Sequence, residues 1–280
     1  MVIPFRKYFF LFILLCVFFI SGCGGDVFQQ DVLGLFGSTD LDTRWKAHNT
    51  FNFLSPDDRN ITLDDSYSFI VVTDIHINNG KAWGLEKLKD VIKNNSDIKF
   101  VVLNGDISQD GKRVNIEKFI QIAGTLDVPC YPVIGNHDMY FGNWKVWEEL
   151  IGSTCYRINC GSATLMILDS ANSYFGAKQL DWLENELKET GDRVFIFTHV
   201  NIFVESPLEL GHFTDIKERG RFISLLKGRG DMIFTGHSHV RHITEIGGIK
   251  NINIEDYLHN AVYCLVSVSK EGIQYKINKL

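Results

Sequence analysis

Five short polar clusters share one setting, each following directly on an apolar run of strand type. Asp74-Ile75-His76 follows Phe69–Thr73, Asn104-Gly105-Asp106 follows Phe100–Leu103, and Gly135-Asn136-His137-Asp138 follows Tyr131–Ile134. His199 follows Val194–Thr198, and Gly236-His237-Ser238-His239 follows Met232–Thr235. Imidazole, carboxylate and amide groups together, without thiolate, suit Mn, Fe or Zn. A lone histidine at a strand end is more often a hydrogen-bonded structural residue. Five of nine histidines in this setting, with Asp or Asn beside them, argue instead for one shared metal site.

The placement has a physical reason. A continuous apolar strand is buried on both faces, and its carboxyl end opens into the crevice where open α/β sheets bind ligands. Five such ends from one sheet layer bring their side chains together. Gly105, Gly135 and Gly236 permit the sharp turns and close backbone approach that crowding around ions demands.

The elements that carry these ends alternate. Strands are expected at Ser68–Thr73, Lys99–Leu103, Cys130–Ile134, Leu165–Leu168, Val194–Phe197 and Met232–Phe234. Helical spacing runs through Trp83–Asn94, through Ile116, Phe119, Ile120 and Ala123, and through Trp144–Ile151. It returns through Leu180, Leu183 and Leu187, then Phe222, Ile223 and Leu226. From Ile243 the tail alternates and turns at Gly247-Gly248 and Glu271-Gly272, the pattern of antiparallel strands. This predicts an α/β fold: a two-sheet sandwich with flanking helices and a largely antiparallel C-terminal part.

The ordered set Asp-x-His, Gly-Asp, Gly-Asn-His-Asp, His, Gly-His-x-His resembles the signature of the calcineurin-like metallophosphoesterases, and it spans Asp74 to His239. The resemblance implies two divalent metal ions. Asp74, His76, Asp106 and His239 would hold one; Asp106, Asn136, His199 and His237 would hold the other, with Asp106 shared. It also implies attack by a metal-bridging hydroxide on a phosphate mono- or diester. His137 matches the position that protonates the leaving oxygen, and Asp138 the residue that orients or tunes it. Two divalent ions against Asp74, Asp106 and one hydroxide would leave a centre with one net positive charge, able to hold a phosphate. The purple acid phosphatase branch has a tyrosine three residues after the Gly-Asp aspartate; Gln109 stands there in this chain, which speaks against an Fe(III)–tyrosinate centre.

Gly105–Gly111, Leu168-Asp169-Ser170 and Lys178–Leu183 are similar to the class III cyclic-nucleotide phosphodiesterase group. Val200-Asn201 departs from it, since a histidine and prolines are usual after His199. Asp169 reads as a strand-end residue capping a turn. Tyr140, Asn201, His212, Arg241 and His242 lie near the clusters, with surface or packing roles favoured. Trp144 and Trp147 read as helix-face packing.

The amino terminus is not part of the fold. Arg6 and Lys7 precede an apolar run, Tyr8–Ile20, of 13 residues, short of the ~20 that span a bilayer. It ends at Ile20-Ser21-Gly22-Cys23, which resembles a bacterial lipobox and implies lipidation at Cys23. An ordinary signal peptide with a chance cysteine, or an uncleaved anchor, is the alternative. The expected organisation is a signal peptide at 1–22, a tether at 23–44 and a catalytic domain at 45–280, held outside the cytoplasm on a membrane. Removing the signal moves the net charge from −6 to −8. No basic run follows Lys7, so nucleic acid is not an expected partner. Cys155 and Cys160 are expected on opposite strand faces, unable to bridge each other, and Cys130 and Cys264 buried.

The leading reading is thus a hydrolase of extracytoplasmic phosphate esters. The alternative is a catalytically silent binding lipoprotein on the same fold. A retired site has no chemical reason to keep seven ligand candidates and His137.

Overall fold

The computed structural model describes residues 39–203, 213 and 215–280. The signal segment, Cys23, the first part of the tether and His212 lie outside these. Among the described residues no helix is long and apolar enough to cross a membrane.

Two sheets pack face to face. The first has the order β11-β10-β1-β2-β3, built from Gly272–Lys279, Val262–Ser269, Tyr67–Val72, Ile98–Asn104 and Cys130–Val133. The second has the order β4-β5-β6-β7-β9-β8, built from Tyr156–Cys160, Ala163–Ile167, Arg193–Phe197, Met232–Thr235, Ile249–Asn253 and His242–Ile246. β1, β2 and β3 run parallel, as do β5, β6, β7 and β9.

Side-chain alternation explains why these strands read as unbroken apolar runs. Phe69 and Val71 point between the sheets, where they meet Phe100, Phe195, Phe197 and Phe234. Ile70 and Val72 point the other way, onto Leu88, Ile116 and Phe119 of the covering helices. On the far side Met166, Ile196 and Ile233 lie under Leu180, Leu183, Phe222 and Leu226. Burying a side chain of this size contributes ~1.5–3 kcal/mol, and the aromatic stacking of Phe69 on Phe100, 4.7 Å between centroids, fixes the register of the neighbours.

Three expectations need correction. The five ligand-bearing strand ends come from both sheets, β1–β3 in one and β6 and β7 in the other, so the site lies where two carboxyl edges meet. The expected helix at Trp83–Asn94 starts later, with a 3₁₀ turn at Leu85–Lys87 and α-helix at Leu88–Lys93. Trp83 and Gly84, at φ of 52° and 88°, are left-handed and cannot begin it. Residues 41–44, placed in the tether, belong to a helix, Leu41–Trp45, capped by Asp40. Arg44 is buried there and makes two contacts of 2.7 Å with the Asp169 carboxylate. The C-terminal part forms two hairpins, β8–β9 and β10–β11, but β9 also pairs parallel with β7, and β10 crosses back to β1.

Cys155 faces the outer core and Cys160 the inter-sheet core; both are buried and unpaired, as are Cys130 and Cys264.

Candidate metal centre

Four of the ligand candidates are aimed by a bond that another atom of the same side chain makes. Asp74 Oδ2 accepts from the Thr73 hydroxyl at 2.7 Å and the His237 amide at 3.0 Å, leaving Oδ1 to face the centre. Asp106 Oδ1 accepts from the His137 amide at 2.9 Å, and Oδ2 points inward. His199 Nδ1 lies 2.9 Å from the Asn104 carbonyl, which places the ring proton there and frees Nε2 for a cation. Asn136 Nδ2 donates to the Tyr140 hydroxyl at 2.6 Å, turning its Oδ1 inward.

The inward atoms converge. His239 Nε2 is 3.2 Å from Asp74 Oδ1 and 3.4 Å from His76 Nε2, and His199 Nε2 is 3.1 Å from Asp106 Oδ2. Asp74, His76 and His239 form one set of side chains able to share a cation; Asp106, His199 and His237 form a second. A third joins His76, Asp106 and His137. Six of the seven proposed ligands fall in these sets, Asn136 standing next to His137 in the chain, and the His137 ring lies edge-on to His76 at 4.6 Å. The fit to cations rests on atoms otherwise left wanting: Asp74 Oδ1, Asn136 Oδ1 and His199 Nε2 are buried without a hydrogen-bond partner. Such groups are costly unless something polar or charged completes them.

The backbone is bent to achieve this. Asp74, His76, Asp106, His237 and His239 all have φ between 49° and 69°, a region that non-glycine residues seldom enter. Gly105, at φ 92°, lies so close to His199 that a Cβ would sit 2.3 Å from its ring, and one on Gly135 would sit 2.1 Å from Asp106 Oδ1. Only glycine fits either place.

Charge follows the geometry. Burial opposes ionisation of Asp74, but His199 and His239 beside it hold its carboxyl down to about 2. Asp106 is held well below the carboxylate range in spite of burial, chiefly by His199 and His137. Burial pushes His76 and His237 down to about 4. His199 is driven the other way: burial disfavours its charge, yet Asp106 and Asp74 raise it to about 10. At pH 7 the metal-free chain thus carries a proton on His199 that a cation must displace. Loading is expected to release that proton, and apparent affinity to rise ~10-fold per pH unit between pH 6 and 8. Calorimetry of Mn²⁺ binding in two buffers of different ionisation enthalpy measures this; equal heats in both would contradict it.

Asp138 is fixed by backbone amides. Its carboxylate accepts from the amides of Ser108 at 2.7 Å, Gly135 at 2.9 Å and Ile107 at 3.3 Å. Burial and the charge of Asp106 push it up to about 7. It clamps two ligand-bearing turns to each other, while the Gln109 carbonyl, 2.8 Å from His137 Nδ1, orients that ring. Asp169 caps a turn, as expected, through the Ala171 amide, and it also pairs with Arg44. Asn201 is buried and accepts from Thr235, Tyr140 is buried against Asn136 and His137, and Trp144 and Trp147 are packed in the core.

Two groups escaped sequence reasoning. Asp256 and His259 form a further set with His239, with Asp256 Oδ2 at 2.6 Å from His259 Nδ1. The helix carrying His259 is tied to the metal edge by amides of Tyr257 and Leu258 bonded to the carbonyls of Thr73 and Asp74. The Asp-x-x-His spacing of a capped helix start was the available signal. Asn253 donates to Ser238 Oγ and the Val240 carbonyl, steadying the loop that bears His237 and His239.

Residues 67–241 match the family described as calcineurin-like phosphoesterase. A probable cyclic nucleotide phosphodiesterase of Colwellia psychrerythraea is 23% identical over 203 residues, covering 66% of this chain and 73% of its own. Another from Fibrobacter succinogenes is 27% identical over 195 residues, covering 63% and 69%. Among solved structures, a purple acid phosphatase from yellow lupin superposes with a TM-score of 0.62 at 14% identity, over 76% of this chain and 51% of that one. That likeness shows a shared fold.

Proposed function

Since the chain belongs to the calcineurin-like phosphoesterase family, we propose that it hydrolyses phosphodiesters at a pair of divalent cations and is anchored through Cys23 on the outer side of a bacterial membrane. That it is a phosphoric ester hydrolase follows from the family and from its phosphodiesterase relatives. The observation that carries the finer reading is the convergence of seven side chains from five strand ends, with buried, unpartnered atoms aimed at one space.

When bound, the two cations supply positive charge to the phosphoryl oxygens and acidify water. Asp106 lies between the two ligand sets and is placed to serve both. Asp74, His76 and His239 would hold one cation; Asn136, His199 and His237 would hold the other. His137, fixed at Nδ1 by the Gln109 carbonyl, presents Nε2 to the leaving oxygen and donates a proton to it. The relatives' names favour diesters over monoesters. A cytoplasmic cyclic nucleotide does not reach an exported enzyme, so that substrate is not carried over.

The test is turnover of nitrophenyl phosphate mono- and diesters with Mn²⁺ added and after chelation. Activity should vanish with chelator and return with metal; activity indifferent to chelation would end the two-metal reading. His137→Ala should keep its metals and lose ~10²-fold on alkyl esters, with a smaller loss on nitrophenyl esters, whose leaving group needs no proton. Equal losses on both would remove His137 from the acid role.

A further inference from the structure

Among the described residues, the large hydrophobic side chains exposed to water are Trp83, Val114, Phe141, Ile216, Val240 and Ile243, between 45% and 72% exposed. Each lies in the connection after the carboxyl end of a strand or within the first two residues of the element that follows. Trp83 stands between β1 and the turn at Leu85, and Phe141 between β3 and the helix Trp144–Leu150. Val114 and Ile216 open the helices Arg113–Ala123 and Ile216–Leu226, and Val240 and Ile243 flank the start of β8. Scattered exposed apolar residues are ordinary on any protein. Here all of them share the edge that carries the metal ligands, which is the distribution of an interaction surface. Trp83 and Phe141 are also held at φ of 52° and 56°, a region that bulky side chains seldom enter.

The chain enters the fold at the same edge. Arg44 reaches Asp169, just past the end of β5, and Met139, just past the His137 cluster, while Lys178 pairs with Asp42. From Cys23 to Thr39 is 16 residues, a length of chain that can span at most ~55 Å. A domain of this size is ~45 Å across. Turning the opposite edge to the bilayer would require that length nearly at full stretch.

We propose that the metal-bearing edge docks on a lipid bilayer through these apolar side chains, and that the phosphodiester it takes is one presented at that surface. This rests on the phosphoesterase reading and on the anchor at Cys23. The contact is apolar insertion, since the processed chain, at net charge −8, has no net attraction to anionic lipid.

The experiment uses the full chain bound to phosphatidylcholine vesicles whose acyl chains carry bromine. In parallel, a Cys23→Ser chain with an amino-terminal polyhistidine is held on nickel-chelating lipid, so that docking is read even if Cys23 bears no lipid. Bromine should quench the wild-type tryptophan fluorescence at least about twofold more than that of Trp83→Phe, given insertion to the acyl boundary. The triple variant Trp83→Ser, Val114→Ser, Ile216→Ser should lose ~10-fold or more on a fluorogenic phosphodiester lipid embedded in the vesicles. Its turnover of soluble bis-nitrophenyl phosphate should stay within about twofold of wild type, as its ligands are untouched. Equal quenching of wild type and Trp83→Phe, or equal turnover of the embedded lipid by both proteins, overturns docking; both are expected if the surface serves a protein partner. Quenching with no turnover of any ester would retain docking and sink the phosphoesterase reading alone.

Discussion

Asp106→Asn is expected to lower kcat/KM for bis-nitrophenyl phosphate by on the order of 10⁴-fold, because charge on the phosphoryl group and activation of water both depend on it. Its Oδ2 lies 3.1 Å from His199 Nε2 and 3.9 Å from Nε2 of both His76 and His137. The asparagine keeps the shape and the bond from the His137 amide to Oδ1, but it removes the negative charge between the two ligand sets. Metal content measured by mass spectrometry of the desalted protein should fall for both ions together. By contrast, losing a partner behind a ligand costs ~10–100-fold. Retention of one full equivalent of tightly bound metal in Asp106→Asn would show that the sets do not share this carboxylate.

Arg44→Met is expected to destabilise the fold by ~3–5 kcal/mol, the cost of stranding a buried carboxylate. Arg44 and Asp169 are both fully buried, joined in a two-pronged contact. Asp169 is further fixed by Gln179, which accepts from its amide and donates to its carbonyl. The loss should appear as a fall of roughly 10–15 °C in thermal midpoint for a chain of this length. The double variant Arg44→Met, Asp169→Leu should recover most of it, because no charge is left without a partner. If the single variant melts with the wild type, the residues just past the tether are not part of the core.

The ligand candidates were legible because each one sits at the end of an apolar run, and the runs are short enough to count. Asp74, Asp106 and His199 announce themselves by what precedes them. The sharing of the site between two sheets was not legible, because nothing in an isolated strand says which sheet it joins; β10, far along the chain, inserts beside β1. Arg44 was hidden for a related reason. Its partner lies 125 residues away, and a short helix at Leu41–Trp45 has too few turns to show a periodic face. That Asp138 also ties two turns together was not legible, because the backbone amides it accepts from carry no side-chain signature. The start at Leu85 was obscured by Trp83, whose apolar character fits a helix while its backbone does not.

The left-handed backbone at five ligand positions sets the molecule against itself. Each contorted residue costs of order 1–3 kcal/mol, borne by the sandwich around it. Replacements that relax those bends would make a sturdier protein that has forgotten its chemistry. Populations screened only for heat resistance should therefore drift toward inactive descendants, with changes gathering at Asp74, His76, Asp106, His237 and His239.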